Sequence, residues 1–162
     1  MPSLREKLKS CLCGRVCLIG VGNVNRGDDG FGVRLAEELD RAGVSDVIVA
    51  GTNPENVVHR LTSEGYDAVV FLDAVDFGGT PGSAVLLGAA EIAARFPQVS
   101  THTFSLGLLA RTIEYDAKTK VWLLGVQPGS LRNTSQRTPA VQTTQALLYF
   151  LLRDALSCEV HA

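Results

Sequence analysis

RVCLIGVGNVNRGDDGFGVRLAEELDR, residues 15–41, decides the fold. Arg15 to Gly20 (RVCLIG) is a short apolar run ended by glycine, the pattern of a buried strand. Asp28 to Arg41 carries apolar or small residues at Phe31, Val33, Leu35, Ala36 and Leu39, with Arg34, Glu37, Glu38 and Arg41 between them. That spacing is the stripe of an amphipathic helix. A buried strand that feeds a helix through a glycine-rich turn opens a βαβ unit.

The alternation continues downstream. Asp46 to Ala50 (DVIVA) reads as a second strand. Asn53-Pro54-Glu55 reads as helix cap, first-position proline and first-turn acid, opening a helix to about Gly65. Ala68 to Leu72 is a third strand, and Ser83 to Leu87 a fourth, entered through the turn Gly78-Gly79-Thr80-Pro81-Gly82. Thr101 opens a helix to about Tyr115, and Lys120 to Gly125 is a fifth strand. Thr138-Pro139 opens a last helix that should send Val141, Leu147, Leu148, Leu151 and Leu152 to the core. The expectation is a three-layer α/β/α sandwich around a twisted, mostly parallel five-stranded sheet. The fourth strand follows the third too closely for a parallel crossover, so it should be an antiparallel edge. Residues 1–14 read as a short frayed extension, 15–157 as one domain and 158–162 as a tail.

With 162 residues, 46% of them hydrophobic and 20% charged, the chain has the composition of a single compact domain. Net charge is −2 and the sequence pI about 5.9, so no basic surplus exists to neutralise a phosphate backbone, which argues against nucleic acid as partner. The opening MPSLREKLKS has charges throughout and no apolar run, unlike a secretory signal. The late apolar run Ala146 to Leu152 is too short to span a bilayer. A cytoplasmic protein without membrane contact is the expectation. Cys11, Cys13 and Cys17 form a C-x-C-x3-C cluster, with Cys158 apart from it. Their spacing fits no strong zinc pattern, and Cys17 sits within Val16-Cys17-Leu18-Ile19, where a thiol behaves as a small buried hydrophobe.

In open α/β sheets ligands bind beyond the carboxyl ends of the strands. Gly20-Val21-Gly22 supplies two glycines of a dinucleotide fingerprint, but the third position holds Asn25, and no P-loop lysine follows. Asp28 and Asp29 open the next helix, where a phosphate would meet two negative charges. The same acids suit a cation. Asp29 and Asp73 should project from loops after two strands, and His102 from the first turn of a helix whose positive end keeps its imidazole neutral. Each residue also has an ordinary alternative: Asp28 or Asp29 as a helix cap, Asp73 as a turn former, His102 as a helix-start residue with a backbone partner, Asp76 as a closure of the Gly78-Gly79 turn. His59, beside Arg60, reads as a solvated surface residue. No Gly-x-Ser-x-Gly elbow points to a serine hydrolase.

Together these stretches resemble the nickel–iron hydrogenase maturation endopeptidases. The matching segments are GVGNVNRGDDGFGVRLAEEL (Gly20 to Leu39), GTNPENV (Gly51 to Val57), VFLDAVDFGGTPG (Val70 to Gly82), STHTFSLGL (Ser100 to Leu108) and LLGVQP (Leu123 to Pro128). They stand in the family's order and cover nearly all of the chain from Arg15 to about Leu156. The resemblance implies a site of two acids and one histidine, falling on Asp29, Asp73 and His102. Some family members carry glutamate at the first of these positions, where this chain has aspartate. The implied activity is endopeptidase removal of the C-terminal extension of a nickel-loaded hydrogenase large-subunit precursor; the alternative is a non-catalytic nickel-sensing chaperone for the same precursor. Nickel would be supplied by the precursor, through its cysteine thiolates, and other divalent ions would occupy the site in vitro. Either the metal polarises the scissile carbonyl or a water, or it only docks the substrate while Asp28 or Asp76 activates water. Gln127 to Arg137, long and polar for a compact domain, reads as a surface loop or as a contact surface for the precursor.

Overall fold

The computed structural model describes residues 1–95 and 105–157. Five strands, β1 (Val16–Val21), β2 (Val47–Gly51), β3 (Ala68–Ala74), β4 (Ala84–Gly88) and β5 (Lys120–Val126), form one sheet in the order β2-β1-β3-β5-β4. All pairings are parallel except β4 with β5, so the short connection after β3 does produce an antiparallel edge. The helices are α1 (Leu4–Cys11), α2 (Phe31–Arg41), α3 (Val58–Ser63), α4 (Ala89–Arg95), α5 (Leu106–Ala117) and α6 (Pro139–Ser157).

Alternate strand residues feed two cores, as the two-residue period of a strand requires. Cys17, Ile19, Val69, Phe71, Val121 and Leu123 face α3, α4 and α5. Leu18, Val70, Leu72, Leu124 and Val126 face α1, α2 and α6. This is the three-layer sandwich expected from the alternation. Among the described residues no helix is long and apolar enough to cross a membrane.

Two expectations fail. The first fourteen residues are not frayed: Ser3 and Glu6 form a reciprocal capping box, with Glu6 N–H donating to Ser3 Oγ at 3.2 Å and Ser3 N–H to Glu6 Oε2 at 3.3 Å. Arg5 and Lys9 then pair with Asp154 of α6 at 2.9 and 3.4 Å, and Leu8 and Leu12 are buried in the second core. These exposed ion pairs add little; the buried leucines fix α1. Leu8→Ala should therefore lower stability by about 2–3 kcal/mol in urea unfolding, against almost nothing for a loose extension. Leu147 is the other failure. It is 60% exposed, because α6 turns Val141, Gln145, Leu148, Leu152 and Ala155 inward, and Leu147 stands about 100° around the helix from Leu148. Leu151 is half-buried against the same core.

The strand order has one topological consequence. From β1 the chain moves out to β2 on one side, then returns to β3 on the other. The connections over β1–β2 and β2–β3 therefore leave from opposite faces, and a crevice opens beyond the carboxyl ends of β1 and β3.

Candidate functional site at the ends of β1 and β3

The turn after β1 is built on close backbone approach. Gly22 has φ +136°, and its N–H donates to Gly51 O at 2.8 Å. A Cβ at Gly22 would overlap the carbonyl oxygen of Asp29, so only glycine lets the turn fold back on the segment carrying the acids. That segment, Gly27–Gly30, is a 3-10 turn with all four residues buried, and α2 proper begins only at Phe31. The glycines that suggested a nucleotide loop thus serve packing: a Cβ at Gly20 would meet Ala36 Cβ at 2.6 Å.

Asp29 is 2% exposed, and its Oδ2 accepts the Asn23 N–H at 2.8 Å. Asp73, also 2% exposed, is the penultimate residue of β3. In the β1–β3 register Gly20 lies beside Leu72, which sets Asp73 level with Val21, immediately before the Gly22-Asn23 turn that binds Asp29. Both acids therefore stand at the crevice between β1 and β3. Asp73 shares the face of Phe71, two residues earlier, which is the face covered by α5. α5 runs antiparallel to the strands it precedes, so its N-terminal end, capped by Ser105 Oγ accepting Leu108 N–H at 3.4 Å, lies at the same rim. His102, and the helix start read at Thr101, fall outside the described residues. Among the described residues no three of histidine, cysteine, aspartate and glutamate gather into a metal site.

Asp28 and Asp76 behave differently from Asp29. Asp28 is fully buried, and its carboxylate accepts four hydrogen bonds: Oδ1 from Thr138 N–H at 2.6 Å, Oδ2 from Gly129 N–H at 2.7 Å, Thr138 Oγ1 at 2.8 Å and Ser130 N–H at 3.0 Å. This occupies its lone pairs with the chain's own donors. Asp76 is exposed; its Oδ1 accepts from Gln127 Nε2 at 3.0 Å and from Gly78 N–H at 3.1 Å. The Gln127 bond, then the Gly78 bond, hold its carboxyl below the usual aspartate range, which makes it a weaker base. Gln127 also accepts Phe77 N–H at 2.9 Å and Gly79 N–H at 3.1 Å through Oε1, clamping the turn after β3. Neither Gln127 nor Thr138 has a local sequence signature for these roles, since each acts on a residue at least 48 positions away.

Among the described residues the cysteines stay outside the site. Cys17 is buried among the residues facing α3 and α5, and burial pushes its thiol up to about 11. Cys13 is exposed and Cys11 half-buried. His59 is exposed, as read from the sequence. A cleft of about 380 Å³ does open at the opposite rim, lined by Arg15, Gly43, Asp46 and Arg153. Its one acid, Asp46, is already bonded by Arg15 at 3.4 Å and by Tyr66 Oη at 3.3 Å. The chemistry therefore points to the β1–β3 crevice and not to this cleft.

Comparison with known proteins points to one family. The family model of hydrogenase maturation proteases matches residues 33–151. The Hydrogenase 3 maturation protease of Escherichia coli is 34% identical over 113 residues, covering 68% of this chain and 71% of that protein. The crystal structure of the nickel–iron hydrogenase maturation protease HycI from Thermococcus kodakarensis superposes with a TM-score of 0.83 at 31% identity, over 93% of this chain and 99% of that one. The hydrogenase maturating endopeptidase HybD of Escherichia coli gives a TM-score of 0.72 at 25% identity, over 90% and 91%.

Proposed function

The chain belongs to the hydrogenase maturation protease family and is a peptide-bond hydrolase of hydrogenase maturation, and from that premise we propose that it removes the C-terminal extension of a nickel-loaded hydrogenase large-subunit precursor in the cytoplasm. The observation that carries this reading is the pair of buried carboxylates, Asp29 and Asp73, at the carboxyl ends of adjacent parallel strands where the strand order reverses. Taking a carboxylate out of water is costly unless something compensates its charge. A cation brought by the substrate would meet oxygen donors from both.

Carboxylate oxygens and an imidazole nitrogen form a donor set that divalent nickel accepts. Asp29, Asp73 and His102 would recognise the metal on the precursor, whose cysteine thiolates complete the coordination. When bound, the metal supplies Lewis-acid polarisation of the scissile carbonyl or of water. The chain's own residues hold that geometry: Asn23 N–H orients Asp29, and the β3 ladder orients Asp73. The rival reading gives water activation to Asp28 or Asp76. Four hydrogen bonds already fill the Asp28 carboxylate, and the bonds from Gln127 and Gly78 weaken Asp76 as a base. Both facts favour Asp29 and Asp73 as the acids that face the substrate.

Incubating the purified enzyme with nickel-loaded precursor should reduce the precursor's intact mass by that of its C-terminal extension, while metal-free precursor keeps its full length. A chaperone without peptidase activity would bind and leave the mass unchanged, and that outcome would refute the reading.

A further inference from the structure

Gln127 to Thr138 contains no acid and carries Arg132 and Arg137. It has no helix or strand of its own, yet its course is tied down along its length. Gln127 exchanges backbone bonds with Gly82 and Ser83, each at 2.9 Å. Gly27 N–H donates to Thr134 O at 2.8 Å, and Asp28 N–H to Ser130 O at 2.9 Å. The four bonds to the Asp28 carboxylate then gather both ends of the segment, Gly129-Ser130 and Thr138, onto one buried side chain. Among the described residues no lysine or arginine pairs with Asp28, so its charge is held by neutral donors alone. Arg132 through Gln136 stay exposed on top.

This is a costly way to close a simple surface loop, because a buried carboxylate tolerates the loss of its donors poorly. What it achieves is placement. The anchor is the residue directly before Asp29, inside the same 3-10 turn, so the segment and the site acid move as one body. We propose that Asp28 is a positioning residue for the peptidase reaction: its carboxylate fixes the Gln127–Thr138 segment as the wall against which the precursor chain is seated beside Asp29. The inference rests on the proposed precursor-processing function, and it assigns Asp28 to seating the substrate and not to activating water.

Asp28→Asn keeps the volume, but either amide orientation turns an NH2 toward backbone N–H donors, of Thr138 on one side or of Gly129 and Ser130 on the other. Processing kinetics on nickel-loaded precursor should show KM raised about tenfold with a smaller change in kcat, the signature of lost seating. Thr138→Val, which removes only the hydroxyl bond, should raise KM about threefold, and Thr138→Ser should restore it to within about twofold of wild type. Titration with Ni2+ alone should give the same affinity for the free wild-type, Asp28→Asn and Thr138→Val enzymes. A folded Asp28→Asn enzyme with wild-type KM, or one whose loss lies entirely in kcat together with weakened Ni2+ binding, overturns the assignment. If Asp28→Asn does not fold, the Thr138 pair decides, and equal KM values for Val and Ser overturn it. Wild-type cleavage with those equal KM values refutes this inference alone. A wild-type enzyme that leaves the precursor intact refutes the proposed function, and this assignment with it.

Discussion

Asp29→Asn should reduce precursor processing by about three orders of magnitude, roughly 4 kcal/mol of transition-state stabilisation, while leaving thermal stability close to wild type. The two halves of this expectation have separate physical grounds. Among the described residues the Asp29 carboxylate accepts Asn23 N–H through Oδ2 at 2.8 Å. An asparagine at the same position still offers a carbonyl oxygen to that donor, so the turn after β1 keeps its anchor. What vanishes is the negative charge, in a spot where 2% exposure makes charge expensive for the folded state. A variant that folds normally and does not cut separates a carboxylate kept for chemistry from one kept for structure. Circular-dichroism melting together with the mass-shift assay reads both. Asp73→Asn and His102→Ala should lose processing in the same way. Processing by Asp29→Asn within about tenfold of wild type would remove that carboxylate from the reaction.

Asp28 and Asp29 show how far the sequence could be read. The strands, their alternation with helices and the antiparallel edge all follow from local patterns: apolar runs bounded by glycine, and connection length. The placement of Asp29 and Asp73 at one rim follows as well, because Asp73 closes one apolar strand, Asp29 lies in the loop after another, and parallel sheets gather such positions at one edge. Two adjacent aspartates in one turn are equivalent by any local criterion. What distinguishes them is Gly129, Ser130 and Thr138, which lie 101 to 110 residues downstream and fold back onto only one of the two. Gln127 escapes notice for the same reason. By contrast, α1 is legible: Ser3-x-x-Glu6 is a capping-box pattern, although the charged residues around Leu8 obscure one of the two buried leucines that fix it. The sequence reading assigns nothing to α4, whose Ala-Ala-Glu-Ile-Ala-Ala-Arg is a strongly helix-favouring run directly after the edge strand.

Gly32→Ala tests the packing that makes the crevice possible, and its sign is the informative quantity. Gly32 lies in the first turn of α2. Local propensity alone says that alanine there should stabilise the protein by about 1 kcal/mol, since glycine is the poorer helix former. The tertiary structure says the reverse. A Cβ at this position would overlap the carbonyl oxygen of Leu72, one residue before Asp73, and would also press on that of Val21 at 2.6 Å. Both obstacles are backbone, so no side chain can rotate away, and α2 would have to lift off the ends of β1 and β3 together. Overpacking against rigid backbone should cost more than about 4 kcal/mol, at the exceptional end for a single substitution. It would also widen the gap between the segment carrying Asp29 and the strand carrying Asp73. The variant should therefore unfold at far lower urea than wild type, and whatever folded enzyme remains should process precursor poorly. A Gly32→Ala protein as stable as wild type would mean that α2 sits less tightly on the sheet than the structure places it, and the two acids would then lack a rigid frame.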